Sequence, residues 1–318
     1  MKKIILSGVK PTGRPHLGNY FGAMRQFVEL QKENAEGTNY FFIADYHALN
    51  LIQNAEEMRR LSLDVVIDFL AIGLDPQKSV IFKQSDILEH AELAWIFDSI
   101  MTVPYLKRAH AYKDAVAKGG EENVSMGLFN YPMLMAADIL MYDTDLVPVG
   151  QDQKQHIEFA RDTAEKFNRV FGNTFKLPEP YILKEVETVP GIDGQKMSKS
   201  YNNTISLFAS DKEIEEAVMA IVTDSDGEIP KNVYAIHKLI RPESELQKIY
   251  GENKGKYKTL KETLIEDLKN FIRPMREKRE EIAKNIDFVN KTLEEGKQKA
   301  RAVAGSKMER VRKVIGVR

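Results

Sequence analysis

The hydrophobic residues in the first two hundred positions of the chain form short, continuous runs. These runs cover residues 2–7, 40–44, 79–82 and 146–149. None of them alternates apolar with polar residues, and continuous runs of this length are typical of strands that are buried on both faces of a sheet. The pattern therefore predicts the strands of a parallel sheet.

Helical patterns fill the segments between these runs. Apolar residues recur with a helical period over residues 21–33, 55–73 and 88–100. Asn54 and Gly73 stand at the two ends of the second segment, where an N-cap and a C-terminal glycine are expected. The alternation of strand and helix predicts an α/β fold with a doubly wound parallel, Rossmann-like sheet, which binds ligands at the carboxyl ends of its strands.

In the last third of the chain only helical patterns continue. They cover residues 211–222, 233–240, 260–285 and 291–314. Pro274 predicts a bend in the third of these helices. We therefore expect a C-terminal all-helical domain after the sheet domain, with the boundary near residues 202–210.

The composition is that of an ordinary globular protein. Of the 318 residues, 43% are hydrophobic and 29% are charged. No stretch approaches the roughly 18 apolar residues of a membrane-spanning helix, and the chain begins with a strand pattern rather than an export signal. We therefore expect a cytoplasmic protein with no membrane association. Because cysteine is absent, disulfides, thiolate nucleophiles and cysteine-ligated zinc or iron–sulfur sites are excluded.

Charge is unevenly distributed along the chain. Residues 254–318 contain 19 Lys and Arg against 10 Asp and Glu, which leaves 27 against 37 for the residues before them. A basic helical segment attached to an acidic remainder is typical of a part that binds a polyanion. Solvated helix faces rich in Lys and Glu produce the same asymmetry, so charge alone does not decide between the two.

Two short motifs, far apart in the chain, suggest one site for a nucleoside triphosphate. The first, residues 11–19, includes His16 and Gly18 and lies between a predicted strand and a predicted helix, where backbone N–H groups bind phosphate. The second, residues 196–200, reads Lys-Met-Ser-Lys-Ser, and its ammonium and hydroxyl groups can hold a triphosphate while pyrophosphate leaves. Each motif has a structural alternative, a plain turn for the first and a solvated loop for the second.

A polar run follows the predicted strand at residues 146–149. It begins at Gly150 and continues through Asp152 and Gln153 into a helix. Side chains that directly follow a parallel strand face the ligand crevice, so Asp152 can accept from a ribose hydroxyl and Gln153 can donate to a carbonyl or carboxylate. The alternative is that Asp152 caps the helix.

The mostly apolar helical pattern at residues 131–142 contains one acid, Asp138. A carboxylate inside such a helix must find a partner. With Met135 on the same face, it would form a hydrophobic slot with one acceptor, which suits a flat apolar ligand carrying a single N–H group. A bridge to a neighbouring basic residue is the structural alternative.

Taken together, these motifs resemble those of class I aminoacyl-tRNA synthetases, and among them those of the tryptophanyl-tRNA synthetase family. Residues 15–19 stand in place of the HIGH motif of this class, and residues 196–200 are its KMSKS loop. Residues 131–142 and 147–156 resemble the tryptophan-specific members in particular. The resemblance runs essentially from end to end of the chain.

The resemblance implies a division into two domains. Residues 1–205 would form the catalytic domain for ATP and tryptophan, with a helical insertion at about residues 87–145. Residues 206–318 would form a helical domain that binds the tRNA anticodon, and its last helix would pack back on the catalytic domain.

The resemblance also implies the reaction, that of an ATP-dependent, AMP-forming tryptophan–tRNA ligase. Such an enzyme activates L-tryptophan with Mg-ATP to give tryptophanyl-adenylate and pyrophosphate, and then transfers tryptophan to the 3′-terminal adenosine of tRNA(Trp). Mg²⁺ comes with the nucleotide and has no dedicated protein site, and a homodimer is expected.

The functional residues of the family carry over to matching positions of this chain. His16, Lys196 and Lys199 would be catalytic. ATP would be bound by Lys10, Pro11, Thr12, Gly18, Asn19, Gly150, Gln151, Asp152, Val189, Lys196, Met197, Ser198, Lys199 and Ser200. Asp138 would accept the indole N–H group of tryptophan. The other tryptophan-binding residues would be Leu6, Gly8, Ala44, His47, Tyr131, Met135, Val147, Val149 and Gln153.

Some positions depart from the usual pattern of the family. Leu6 stands where an aromatic residue is frequent, and Lys10 stands where glutamine is usual. The loop at residues 189–195 is shorter than in many relatives. Whether Lys113 or Lys118 reaches the triphosphate is left open by the sequence.

Three other functions are compatible with parts of the pattern. A tyrosyl-specific synthetase shares the fold, but residues 135–138 and 147–156 fit tryptophan better. A small-molecule nucleotidyltransferase would not need residues 205–318. A non-catalytic tRNA-binding relative should have lost His16 and the lysines of residues 196–200, and this chain has kept them.

Overall fold

The structure is a computed structural model that describes residues 2–150, 154–182, 189–223 and 227–317. The strands of these described residues are β1 (Ile4–Val9), β2 (Thr38–Ile43), β3 (Val80–Lys83), β4 (Leu146–Val149) and β5 (Glu179–Ile182). They form one parallel sheet in the order β3-β2-β1-β4-β5. The predicted parallel sheet is confirmed. The hydrophobic pattern misses β5, because that strand has only four residues and two of them are Glu179 and Pro180.

The strand order reverses at β1. From there β2 and β3 follow on one side, whereas β4 and β5 lie on the other. In open α/β sheets a crevice forms outside the carboxyl ends of the strands at such a switch point, and ligands bind in it. The fold therefore places the expected site beyond Val9 of β1 and Val149 of β4.

Helices cover both faces of the sheet. Those that accompany the strands are α1 (Leu17–Asn19), α2 (Arg25–Glu33), α3 (Asp45–Ala48), α4 (Ala55–Ile72), α5 (Glu89–Asp98), α6 (Val103–Leu106), α7 (His110–Gly119), α8 (Met126–Leu140) and α9 (Lys154–Phe171). A π-helical turn, Tyr20–Met24, joins α1 to α2. The helices that follow the sheet are α10 (Asp211–Met219), α11 (Lys231–His237), α12 (Glu243–Glu252), α13 (Tyr257–Lys284) and α14 (Ile286–Ile315). Within the described part of the chain, no helix is long and apolar enough to cross a membrane.

Helix α4 shows how local sequence sets the ends of an element. The side chain of Asn54 accepts a hydrogen bond from the Glu57 N–H group at 2.9 Å, as an N-cap does. Gly73 ends the helix at a φ of 109°, in the left-handed region that favours glycine. Both predicted ends of this helix are confirmed.

Two hydrophobic clusters fill the two faces of the sheet. One contains Phe41 of β2, Phe69 of α4 and Leu268 of α13. The other contains Phe82 of β3 and Met308 of α14. Each cluster therefore joins the sheet to helices from the C-terminal part of the chain, and the division of the chain into two domains stays a prediction.

The last helix, α14, lies directly on the sheet. It passes β3 so closely that a Cβ atom on Gly296 would be 1.8 Å from the carbonyl oxygen of Ile81. Glycine at this position is thus a requirement of helix–strand packing.

Candidate active site

The floor of the crevice is a glycine at the end of β1. Gly8 is exposed, although Ser7 before it is buried. A Cβ atom on Gly8 would lie 2.4 Å from Cζ of Phe42, so the Phe42 ring already fills the space of a side chain. Glycine is therefore required at this position, and its backbone stays exposed at the switch point.

His16 opens the helix that follows β1. Its Nδ1 accepts a hydrogen bond from the Asn19 N–H group at 3.3 Å, and Asn19 Oδ1 accepts one from the His16 N–H group at 3.1 Å. This reciprocal pair is a capping box. Because Nδ1 accepts, the proton of the neutral imidazole sits on Nε2, which is left to donate to a ligand.

The imidazole of His16 is neutral at physiological pH. Burial, and then the positive charge of Lys199, lowers the pKa of His16 to about 4. A neutral imidazole can donate one hydrogen bond to a phosphate oxygen but has no extra proton to give. His16 is therefore suited to hold a phosphate rather than to protonate it.

The two sequence motifs are in direct contact. The Gly18 N–H group donates to Met197 Sδ at 3.4 Å, and Lys199 Nζ donates to the carbonyl oxygen of Thr12 at 3.1 Å. Backbone hydrogen bonds continue the contact, from Leu17 N–H to Ile205 O at 2.9 Å. The loop at residues 196–200 is thus anchored by the buried Met197 on the start of α1.

Sequence reasoning missed Asn203, which organises this loop. Asn203 is buried, its Oδ1 accepts from the Ser198 N–H group at 2.7 Å, and its Nδ2 donates to Asp193 Oδ1 at 2.7 Å and to Lys196 O at 3.2 Å. A Cβ on Gly191 would lie 2.4 Å from this amide, so Gly191 makes room for it. The only sequence hint is an asparagine directly after a turn.

Three lysines bring positive charge to the crevice. Burial lowers the pKa of Lys10, and it lowers that of Lys199 against the opposing effect of the Asp68 charge. Lys10, Lys196 and Lys199 all keep exposed side chains, so their ammonium groups can reach a ligand. Ammonium groups that have lost part of their hydration gain more from a polyphosphate than fully hydrated ones do.

A second group of polar side chains surrounds Asp138 on α8. Asp138 accepts from His47 Nε2 at 3.0 Å and from Gln84 Nε2 at 2.8 and 2.9 Å, and His90 Nδ1 lies 2.9 Å from its Oδ1. Burial alone would raise the pKa of Asp138, but the hydrogen bond from His47 and the close contact with His90 outweigh it and hold the pKa below its usual range. The carboxylate is therefore ionised although it is only 1% exposed.

This group lies at the carboxyl edge of the sheet. His47 belongs to α3, which follows β2, and Gln84 begins a short turn directly after β3. The Ala44 N–H group donates to Val9 O at 2.9 Å, which joins the segment before α3 to the end of β1. Sequence reasoning found His47 and Asp138 but missed Gln84 and His90, because no local pattern connects them with α8.

The predicted apolar residues of the tryptophan pocket all belong to the hydrophobic cluster on one face of the sheet. Leu6, Ala44 and Val147 are buried in it, and Met135 and Val149 pack against it half-buried. Tyr131 is buried beside His47, with 6.4 Å between the ring centroids. Its hydroxyl forms a hydrogen bond with His156 Nε2 at 2.6 Å, and burial raises the pKa of Tyr131 to about 12.

Other predicted residues have a less specific placement. Gln151, Asp152 and Gln153 lie outside the described residues. Pro11 and Val189 are buried, and the Val189 carbonyl accepts from the Met197 N–H group at 2.9 Å. Thr12, Asn19 and Ser200 are exposed, whereas Gly150 and Ser198 are half-buried. Lys113 and Lys118 are both exposed on α7, so the choice between them stays open.

Part of the basic C-terminal segment is not a free surface. Lys307 is 8% exposed, donates to Asp143 Oδ1 at 2.6 Å and lies 5.6 Å from the centre of the Phe175 ring. Arg310 donates to the carbonyl oxygen of Asn173 at 2.6 Å. Lys307 therefore attaches α14 to the sheet region instead of facing solvent, whereas Arg310 and Lys313 are exposed and the polyanion-binding role of the basic segment stays a prediction.

Comparison with known proteins identifies the family. The family of class I tRNA synthetases for tryptophan and tyrosine (W and Y) matches residues 2–303. A tryptophan–tRNA ligase from Fusobacterium nucleatum is 49% identical over 321 aligned positions, covering 98% of this chain and 97% of the relative. One from Rhodopirellula baltica is 45% identical and is covered over 99% of both chains.

A solved structure extends this similarity to three dimensions. Tryptophanyl-tRNA synthetase from Campylobacter jejuni, in complex with ADP and tryptophan, superimposes with a TM-score of 0.90 at 42% identity. The match covers 98% of this chain and 99% of that structure. Sequence and fold therefore agree along nearly the whole length of the chain.

Proposed function

Because the chain belongs to the class I tRNA synthetases for tryptophan and tyrosine, we propose that it joins L-tryptophan to tRNA(Trp) with ATP. The observation that carries this proposal is the meeting of the two motifs, Lys199 with Thr12 and Met197 with Gly18, at the switch point of the sheet. An ionised, buried carboxylate, Asp138, lies at the same edge of the sheet and can accept an indole N–H group.

The substrates supply the reacting groups. A carboxylate oxygen of tryptophan attacks the α-phosphorus of ATP, the bond from this phosphorus to pyrophosphate breaks, and tryptophanyl-adenylate forms. A hydroxyl of the 3′-terminal adenosine of tRNA then attacks the carbonyl carbon, and AMP leaves. No protein nucleophile takes part, so the protein acts by positioning and by electrostatic stabilisation.

The motif residues have separate roles in the first step. Lys196 and Lys199 stabilise the negative charge that builds on pyrophosphate as it leaves. His16, neutral and with its proton on Nε2, donates to a phosphate oxygen. Mg²⁺ brought in with ATP would add positive charge at the same place as these side chains.

The remaining predicted contacts complete two adjacent pockets. Residues 10–12, 18–19, 150–152, 189 and 196–200 hold ATP. Asp138 reads the indole N–H group, and the apolar residues clustered near it enclose the ring. Tyr131 and Gln153 bind the polar end of the amino acid, whereas His47 contacts Asp138 and belongs to the part of the pocket that binds the indole N–H group.

The test of this function is ATP–pyrophosphate exchange with each of the twenty amino acids. We expect exchange that depends on tryptophan and exceeds that with phenylalanine by several orders of magnitude, because phenylalanine lacks both the N–H donor and the second ring of the indole. Exchange with tyrosine should also be weaker, because its single ring fills less of the pocket. Exchange driven best by tyrosine would contradict the proposed substrate.

We also propose that the chain binds tRNA(Trp), forms a homodimer and works in the cytoplasm, where ATP and tRNA are present.

A surface formed by Leu49, Leu51 and Met126 supports the dimer. These side chains are 50%, 73% and 67% exposed. They share a surface because Gly127, which follows Met126, lies against the side chain of Asn50, which stands between the two leucines in the chain. Exposed apolar patches of this kind mark protein interfaces. Sedimentation of the Leu51→Glu variant should give a monomer where the parent chain gives a dimer.

A further inference from the structure

The orientation of the Asp138 carboxylate depends on residues that have no assigned role. Gln84 Nε2 lies nearly equidistant from the two carboxylate oxygens, at 2.8 and 2.9 Å. A donor placed between both oxygens holds the carboxylate in position but does not resist its rotation about the Cβ–Cγ bond. This χ2 torsion of aspartate has only a weak intrinsic preference. The donors on single oxygens must set the orientation.

Two imidazoles contact the oxygens singly. His47 Nε2 lies 3.0 Å from Oδ2, and His90 Nδ1 lies 2.9 Å from Oδ1. His47 is 6% exposed and packs beside Tyr131 in the predicted tryptophan pocket, where a bound substrate would be its direct neighbour. His90 is fully buried and therefore provides the fixed reference.

The hydrogen-bond donors and acceptors around His90 can be assigned in only one consistent way. The ionised Asp138 only accepts hydrogen bonds, so the His90 nitrogen that faces it, Nδ1, must carry a proton. Its Nε2 then accepts from the Tyr142 hydroxyl, at 2.8 Å. Nδ1 has no other partner among the described residues, and its contact with Asp138 is short but poorly aligned. Such contacts can straighten when a substrate binds.

The surroundings of His90 leave it little freedom. Tyr142 is 1% exposed, and the His90 ring meets those of Phe42, Phe82 and Tyr142 edge-on, at centroid distances of 6.4, 6.2 and 5.6 Å. Gln84 is likewise fully buried, and its Oε1 accepts from the His47 N–H group at 3.4 Å. Close packing of this kind keeps side chains in one rotamer.

We propose that His90 is a positioning residue for tryptophan recognition: anchored by the Tyr142 hydroxyl, it sets the plane of the Asp138 carboxylate that receives the indole N–H group. His90 touches neither substrate. It acts through Asp138, and it can do so only if the proposed function holds. A displacement of about 1 Å in a recognition group costs much of the selectivity, which is why a buried anchor is needed.

The experiment compares tryptophan with 3-benzothienylalanine, in which sulfur replaces the indole N–H group. The ratio of kcat/KM in ATP–pyrophosphate exchange for the two substrates isolates this one hydrogen bond, because their shapes are nearly the same. We expect the parent chain to prefer tryptophan by about 10- to 100-fold, the usual worth of a hydrogen bond to a charged group. The preference should reside in the KM for the amino acid, with the KM for ATP unchanged.

Two variants at His90 separate positioning from structure. His90→Leu removes the donor to Asp138, and the preference should fall below about threefold. His90→Asn places an amide N–H group where Nδ1 stood, so it should restore most of the preference. A preference that stays at the parent level in His90→Leu, even with lower activity on both substrates, overturns the proposal.

Tyr142→Phe provides the test should His90→Leu fail to fold. It removes one oxygen atom and frees the His90 ring without removing the donor, so the preference should fall to an intermediate value. An unchanged preference in Tyr142→Phe overturns the anchoring role. Failure of the proposed function has a different signature, since the parent chain itself would then show no tryptophan-dependent exchange.

Discussion

At the residue scale, the structure defines the hydrogen-bonding state of two motif residues. His16 was expected to assist at the phosphates, and its capping contact with Asn19 now shows which nitrogen is available. Lys199 donates a hydrogen bond to the Thr12 carbonyl oxygen, and a phosphate oxygen of ATP would be a stronger acceptor. Both observations lead to measurements on single side chains.

Lys199→Ala should lower the rate of adenylate formation by at least about 100-fold while leaving tryptophan affinity within about twofold. The contact of Lys199 with pyrophosphate should strengthen in the transition state, and interactions of this kind raise kcat rather than lower KM. Single-turnover adenylate formation and equilibrium binding of tryptophan measure the two quantities. Unchanged adenylate formation would remove Lys199 from the catalytic group.

His16 should not titrate near neutral pH. Its pKa in the folded chain is about 4, against 6.5 for an unperturbed histidine. The unfolded chain therefore takes up a proton between about pH 6.5 and 4 that the folded chain does not, so stability is lost as pH falls through this window. The NMR signal of the His16 imidazole should stay constant from pH 8 to about 5.5. Lys199→Ala should move its midpoint upward, and a midpoint near 6.5 in the parent chain would contradict the assignment.

At the scale of elements, long-range packing explains what the helical patterns could not. The pattern at residues 291–314 predicted a helix there, and the structure extends it to Ile286–Ile315. It did not indicate that α14 would cross β3 with Gly296 against the Ile81 carbonyl. Similarly, Asn203 is an ordinary turn residue in the sequence, but in the fold it holds Ser198 and Asp193 in place.

Gly296→Ala should destabilise the protein by about 1–3 kcal/mol, because the new methyl group must push α14 away from β3. Gly305→Ala is the matched control on the same helix. Apart from its own stretch of helix, none of the described residues has an atom within 4 Å of its Cβ position, so this change should stabilise the helix by about 0.5–1 kcal/mol. Urea unfolding of the two variants gives the comparison, and equal effects would show that α14 does not press on β3.

At the scale of the whole molecule, a buried ion pair joins the C-terminal helices to the sheet region. Arg279 of α13 donates to Asp68 Oδ1 and Asp64 Oδ1 of α4, both at 2.6 Å, and its guanidinium lies 5.4 Å from the centre of the Phe208 ring. Burial raises the pKa of Asp68 to about 6, against the lowering effect of Arg279. Burial lowers the pKa of Lys199 and the negative charge of Asp68 opposes this shift, so this ion pair acts electrostatically on the loop at residues 196–200.

Arg279→Met should destabilise the protein by about 3–5 kcal/mol at pH 7, because it leaves Asp68 buried without its partner. The folded pKa of Asp68 lies above its unfolded value of 3.8, so protonation favours the folded state and this carboxyl's contribution to stability is lost as pH rises through about 6. The destabilisation should therefore be smaller at pH 5. Arg273→Met is the control, because that side chain is 44% exposed in its pair with Asp211. Equal melting-temperature losses in the two variants at pH 7 would contradict a special role of Arg279.

The sequence by itself determined the features that depend on near neighbours. These are the four buried strands, the caps of α4 and the strand–turn–helix start at His16, all of which follow from hydrophobic pattern and turn chemistry within a few residues. The family motifs add the identity of the ligands. Such features are local, so a linear reading finds them.

Only the tertiary structure decided which distant residues meet. Gln84 and His47 are 54 and 91 positions from Asp138, and Lys307 is 164 positions from Asp143. Neither the carboxylate with its donors nor the burial of a lysine on α14 can be read from a local pattern, because both depend on how helices pack across the sheet. The physical reason is that a buried charge requires partners, and packing decides from which part of the chain they come.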